Sequence, residues 1–250
     1  MNLGKPIAKG NTATMYKVNG QMVKVFNQNL DAKYVKYEAT KQRIVFQTSL
    51  YVPEVIELTE VEGKQVIIME YIEGTTLGEL FQENDEQVRS YLEQSIDVQR
   101  AIHQITSTKS LEKMSDKLTR QIYEAPLLST AQKKDCLLLM NSIFDGDTLC
   151  HGDFHLFNLI QTPTRGIAII DWVDASMGDA RADVCRSYLL YTQHSTELAE
   201  LYLEIYCDRS GKTKEEILQW LPVIAAARLS EHVQTEDSKR LVQYVESAFS

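Results

Sequence analysis

Cysteine is sparse in this 250-residue chain: Cys136, Cys150, Cys185 and Cys207 lie far apart with no CxxC pair. That spacing excludes a zinc knuckle and a disulfide framework, and the four read as buried thiols. Long apolar runs are also missing. Runs such as Val66-Ile67-Ile68-Met69 and Ile167-Ala168-Ile169-Ile170 are of strand length, far short of the roughly 20 residues that a membrane-spanning helix needs. The segment Met1 to Gly10 has no apolar core followed by a small-residue cleavage site, so it does not read as a signal peptide, and a cytoplasmic location is expected. Basic residues are outnumbered, 26 against 35 acidic, for a net charge of −9. Nucleic acid is therefore disfavoured as a partner, because phosphate contacts need clustered Lys and Arg, whereas a cationic small molecule would suit the balance. No internal repeat or low-complexity segment stands out.

What is present is a chain with 44% hydrophobic and 24% charged residues of mixed sign, enough apolar material for one large domain or two lobes. The first part reads mostly as strand. Tyr16-Lys17-Val18 and Gln21 to Phe26 flank Asn19-Gly20, a strong short-range hairpin signal because both turn residues must take positive φ. From Asp31 to about Thr48 the spacing becomes helical, with Asp31 as the N-cap. Strands follow at Val55 to Leu58 and Gln65 to Met69. After the turn-like Glu73-Gly74-Thr75-Thr76, helical spacing dominates, with helices expected at about 86–105, 110–124, 130–143, 180–193, 196–208, 213–227 and 237–248, and with Pro126, Gly178 and Gly211 marking breaks. Within this region Leu149-Cys150-His151 and Gly166 to Asp171 look like short strands framing an irregular loop. The expected fold class is α+β: an N-terminal antiparallel sheet with one helix over residues 1–70, then a larger, mainly helical part over 71–250.

Polar residues crowd the ends of those two short strands, in His151-Gly152-Asp153-Phe154-His155-Leu156-Phe157-Asn158 and, thirteen residues later, Asp171. Kinase-type phosphoryl transfer needs a carboxylate beside the acceptor hydroxyl and oxygen ligands that hold Mg²⁺ against the β- and γ-phosphates. Asp153 fits the first role. The Asn158 amide oxygen and the Asp171 carboxylate fit the second. Single Asp or Asn residues in loops mean little; the combined spacing is what points to this chemistry.

This stretch resembles the aminoglycoside phosphotransferase and choline kinase family, relatives of the protein kinases. The resemblance continues in Ile169-Ile170-Asp171-Trp172-Val173-Asp174-Ala175 and in Gly178-Asp179-Ala180-Arg181-Ala182-Asp183. Trp172-Val173 where protein kinases have Phe-Gly, and His-Gly-Asp in place of His-Arg-Asp, point to the small-molecule branch. The resemblance implies a two-lobe kinase-like fold with ATP or GTP and Mg²⁺ as cofactors, the nucleotide lying in the cleft. It implies transfer of the γ-phosphate to a hydroxyl of a small molecule such as an aminoglycoside, an amino alcohol or a sugar. By the same resemblance Lys24 would hold the α- and β-phosphates and Glu38 would pair with Lys24. The Glu70 C=O and Ile72 N–H would receive the adenine edge. Thr12, in the turn Gly10 to Thr14, would sit over the phosphates, although with one glycine the segment could as well be an ordinary β-turn.

His151 and His103 read as structural histidines. His155 would face the transferred phosphate or brace the loop, Asp183 would cap or brace, and Asp174 and Asp179 would line the acceptor site or lie in turns. Glu231, His232, Glu236, Asp237, Tyr244 and Glu246 offer an acidic and aromatic set for a cationic acceptor. The same residues would also suit a solvated helix face. Two other readings stay open. His151, Asp153 and His155 alternate and could bind a metal for hydrolysis. A kinase-like fold could also bind nucleotide without catalysis, although no core polar residue is lost.

Overall fold

The structure, a computed structural model, describes residues 3–10, 12–28, 30–106, 110–233 and 235–249. In chain order its elements are β1 (Pro6–Lys9), β2 (Ala13–Val18), β3 (Gln21–Phe26), α1 (Ala32–Phe46), β4 (Val55–Val61), β5 (Lys64–Glu70), β6 (Thr75–Thr76), α2 (Leu77–Glu83), α3 (Val88–His103), α4 (Met114–Glu124) and α5 (Thr130–Ile143). They continue with β7 (Thr148–Cys150), β8 (Leu159–Thr162), β9 (Gly166–Ile169), β10 (Ser176–Gly178), α6 (Ala180–Tyr191), α7 (Thr196–Ser210), α8 (Lys214–Leu218), α9 (Leu221–Arg228) and α10 (Ser238–Ala248). The α+β class expected from the sequence is the one observed.

The chain forms two compact units: residues through Asn84 with Leu156–Asp174, and Asp85–His155 with the remainder from Ala175. The first unit is built on an antiparallel sheet of order β1-β2-β3-β5-β4. Asn19 and Gly20 take φ of 51° and 78°, as the hairpin signal required, and Glu62-Gly63 turns the β4–β5 hairpin in the same way with φ of 53° and 74°. Strand alternation divides the buried residues. Val23, Val25, Val66 and Ile68 pack on one face, while Phe26, Ile67 and Met69 pack with Val35 and Ala39 of α1 on the other. With a period of two, Lys24 shares the face of Phe26 and so points towards α1. That helix starts at Asp31, whose carboxylate accepts the Lys33 N–H at 2.8 Å, and buries Val35, Glu38, Ala39, Gln42 and Val45 along one stripe.

A second small sheet, β6-β8-β9, completes this unit. It accounts for the difference from a single division near residue 70, because Thr75 and Thr76 pair with Gln161 and Ile160 and carry residues 71–84 with them. α2 was not expected. Its start is nevertheless written as a capping box, in which the Thr76 hydroxyl accepts the Glu79 N–H at 3.1 Å and Glu79 accepts the Thr76 N–H at 2.9 Å. Gly78 is packed so tightly that a Cβ there would lie 2.5 Å from the Phe157 ring.

The second unit is mainly helical. The helix expected over 213–227 is two helices, α8 and α9, because Pro222 in the first turn of α9 cannot sit in a helix interior. α9 is buried on all sides from Pro222 to Arg228, as suits its nearly all-apolar sequence. β7 pairs with β10, which the sequence did not announce, in the register Cys150↔Ser176 and Thr148↔Gly178. Gly178 is required by close packing, since a Cβ would meet the Met114 Cβ at 2.4 Å. Among the described residues no helix is long and apolar enough to cross a membrane.

Candidate active site

In the first unit the Lys24 ammonium lies 2.6 Å from Glu38 Oε1 and 3.7 Å from Asp171 Oδ1. Burial works against the charge on Lys24, but the Asp171 and Glu38 carboxylates outweigh it and hold its pKa above the ordinary value. Asp171 follows directly on the β8–β9 hairpin. The Ile170 N–H donates to the Asn158 carbonyl at 3.0 Å, so hairpin register brings the two expected metal ligands to neighbouring positions. Asp171 itself has φ of +64°, a left-handed conformation that is uncommon for a non-glycine residue.

Two anchors hold the segment after Asp171 in place. Trp172 is buried and its indole N–H donates to the Ile169 carbonyl at 3.1 Å, while the Lys41 ammonium donates to the Val173 carbonyl at 2.9 Å. The Asp171 Oδ1 atom that results is buried and accepts no hydrogen bond among the described residues. A buried carboxylate oxygen without a donor is costly. A hard cation is the chemical group it fits, and an Asn amide with an Asp carboxylate is an oxygen donor set suited to Mg²⁺. Nothing local in the sequence marks Lys41 for this contact.

A cavity of about 160 Å³ opens beside this cluster, lined by Met15, Met22, Lys24, Met69, Glu70 and Ile72 among others. Apolar walls with a few charged groups at one end are what a nucleotide base and its phosphates require. Buried Gln42 also lines it, its amide donating to the Pro53 carbonyl at 2.8 Å. In the expected phosphate turn, the Gly10 N–H donates to Ala13 and the Thr12 carbonyl accepts from Asn27, both at 2.9 Å. Asn11 lies outside the described residues, and Thr12 is not among those that line the cavity.

The Asp153 loop belongs to the second unit. Gly152, with φ of 80°, donates its N–H to Asp183 Oδ1 at 2.7 Å. The other Asp183 oxygen meets His103 Nε2 at 2.9 Å. Burial alone would raise the Asp183 pKa, but the His103 contact and the Gly152 N–H bring it below the usual carboxylate range. Asp183 therefore braces the loop, and the N-cap of α6 is Asp179, which accepts the Arg181 N–H at 2.9 Å and is itself buried. Asp179 is thus a structural residue.

The Asp153 backbone N–H donates to His151 Nδ1 at 3.3 Å, and the His151 ring meets Phe154 edge-on. His151 is a fully buried brace. The Asp153 carboxylate faces His155 Nε2 at 3.6 Å and Arg186 Nη2 at 3.7 Å. Burial opposes its ionisation, yet His155, Arg186 and His151 together hold its pKa well below the ordinary carboxylate value. A hydrolytic metal site at His151, Asp153 and His155 is not formed. Among the described residues, the three His, Cys, Asp or Glu side chains whose ligand atoms gather within 4.8 Å are instead His103, Cys150 and Asp183. That group is no metal site either: burial pushes the Cys150 thiol far above its ordinary pKa, and Asp183 already has hydrogen-bond partners on both oxygens.

The acidic set expected for a cationic acceptor is mostly engaged elsewhere. Glu236 is buried between Arg228 and Arg240, and Asp237 is the N-cap of α10. Glu231 does reach a cavity, which Arg186, Gly152, Met114 and Leu118 also line.

Known proteins supply an independent line. Residues 4–221 match the phosphotransferase enzyme family, APH. A protein LicA homolog from Mycoplasma capricolum is 25% identical over 81% of this chain and 79% of its own length. Acyl-CoA dehydrogenase family member 10 of Mus musculus is 30% identical over 56% of this chain, a match that spans 15% of the mouse protein. Among solved structures, aminoglycoside phosphotransferase APH(4)-Ia in a ternary complex with ADP and hygromycin B superimposes with a TM-score of 0.72 at 16% identity, covering 98% of this chain and 92% of that one. Choline kinase LicA from Streptococcus pneumoniae gives 0.63 at 17% identity, over 97% and 93%. The fold is that of these kinases, and with most of its length matched the chain belongs to the phosphotransferase enzyme family.

Proposed function

We propose that this chain moves the γ-phosphate of ATP to a hydroxyl of a small molecule, with Mg²⁺ as cofactor. The observation that carries the reading is the buried, undonated Asp171 oxygen held in a left-handed turn beside the Lys24–Glu38 pair. Asn158 and Asp171 would hold Mg²⁺, which would supply neutralisation of the triphosphate charge there. Lys24, kept charged by its carboxylate neighbours, holds the α- and β-phosphates, and Glu38 fixes its position. The Glu70 carbonyl and Ile72 N–H receive the adenine edge, a role supported by their place on the cavity wall.

Asp153 orients the acceptor. Its depressed pKa keeps it ionised at neutral pH, so it accepts a hydrogen bond from the attacking hydroxyl and aligns it for in-line transfer. A loose transition state asks little of a general base, so a weakly basic carboxylate is adequate. ADP release from Mg²⁺-ATP, measured against a panel of sugars, amino alcohols and aminoglycosides, tests the reading. Acceptor-dependent release by the wild type and none by Asp153→Ala is expected; equal rates in the two proteins would overturn it.

A further inference from the structure

The cavity beside Asp153 in the second unit is unlike a site for cations. Of the two carboxylates that line it, Asp183 and Glu231, Glu231 is the more accessible, and both of its oxygens are engaged. Oε1 accepts from Gln121 Nε2 at 3.3 Å, and Oε2 accepts from Arg186 at 2.8 Å and from Arg228. Glu236 behind it is engaged in the same way. Its Oε1 accepts from Arg240 at 2.8 Å, and its Oε2 accepts from Arg228 at 3.0 Å and from Gln193. Three guanidinium groups, Arg186, Arg228 and Arg240, thus hold these two carboxylates, and Arg186 also lies 3.7 Å from Asp153 Oδ1.

An ammonium group entering here would meet Arg186, or would have to displace a guanidinium from a largely buried carboxylate and leave that arginine unpaired. Ring faces offer no alternative. The cavity walls near Arg186 are Met114, Leu118, Ile224 and Ala227, and no aromatic side chain lines it among the described residues, whereas quaternary ammonium groups are held by aromatic cages. The enclosed space is about 30 Å³, room for a small polar group against an aliphatic wall.

We propose that the phosphoryl acceptor is a small alcohol with no cationic group, an uncharged polyol or a hydroxy acid, and that the Arg186–Glu231–Arg228 network excludes amines. The inference rests on the kinase reading and names the substrate class of that same site. The test compares matched acceptors by ADP release from Mg²⁺-ATP: N-acetylglucosamine against glucosamine, 3,3-dimethylbutan-1-ol against choline, and glycerate and glycerol against ethanolamine. The wild type is expected to show at least a tenfold higher kcat/KM for the non-cationic members. Arg228→Gln, which releases one partner of Glu231, is expected to narrow that ratio. Equal or greater kcat/KM for the amines overturns the proposal, as does silence across the whole panel while Mg²⁺-ATP still binds in calorimetry. Loss of Mg²⁺-ATP binding itself would instead strike the underlying kinase reading.

Discussion

At the scale of single residues, Asp153 and Lys24 separate turnover from binding. Asp153 lies with His155 and Arg186 in the second unit, whereas Lys24, Glu38 and Asp171 cluster in the first. Asp153→Ala is therefore expected to lower kcat by at least a thousandfold while the nucleotide Kd changes by less than about threefold. Lys24→Met would remove the proposed phosphate ligand and should raise the nucleotide KM about tenfold or more, as steady-state kinetics would show. Asp183 gives a pH prediction. Its folded pKa lies below its ordinary value, which is about 3.9 in an unfolded chain. The unfolded state then binds the proton more readily. The stabilisation is complete above that unfolded value and is lost as pH falls through the folded one. Asp183→Asn should cost about 3–5 kcal/mol, as expected when a buried pair is broken, and should flatten the acid limb of stability measured by urea titration between pH 5 and 2.

At the scale of elements, the hairpins and helix caps were legible because their signals are local. Asn19-Gly20, the Asp31 cap and the polar loop from His151 to Asn158 each declare themselves within a few residues. β6 and β10 did not, since each is held by a partner distant in sequence, and like the four-residue β8 each is too short to show a period. Lys41 was hidden for the same reason: its partner Val173 lies 132 residues away. Gly74 tests the importance of the β6–β8 pairing. It has φ of 156°, and a Cβ there would fall 2.2 Å from the Gln161 carbonyl oxygen. Gly74→Ala is expected to destabilise the protein by about 1–3 kcal/mol and, by disturbing the hairpin that carries Asn158 and Asp171, to raise the Mg²⁺ concentration needed for half-maximal rate. Chemical denaturation and a Mg²⁺ titration would check both.

At the scale of the whole molecule, the net charge of −9 suggested a cationic acceptor, yet local pairing decides what a cavity binds. Carboxylates summed over the chain say nothing about which of them arginines already hold, as they hold Glu231 and Glu236. The division into units was only partly legible, because the return of residues 156–174 to the first unit depends on non-local strand pairing. Ligand linkage gives a global readout of the first unit: a nucleotide at a hundred times its Kd should stabilise the fold by about 2.7 kcal/mol, visible as a rise in Tm. The most direct test of nucleotide and metal acting together is calorimetric titration of ATP, with and without Mg²⁺, into the wild type and Asp171→Ala. Binding that requires Mg²⁺ in the wild type and is lost in Asp171→Ala is expected; Mg²⁺-independent binding of equal strength in both would contradict the assignment of this site.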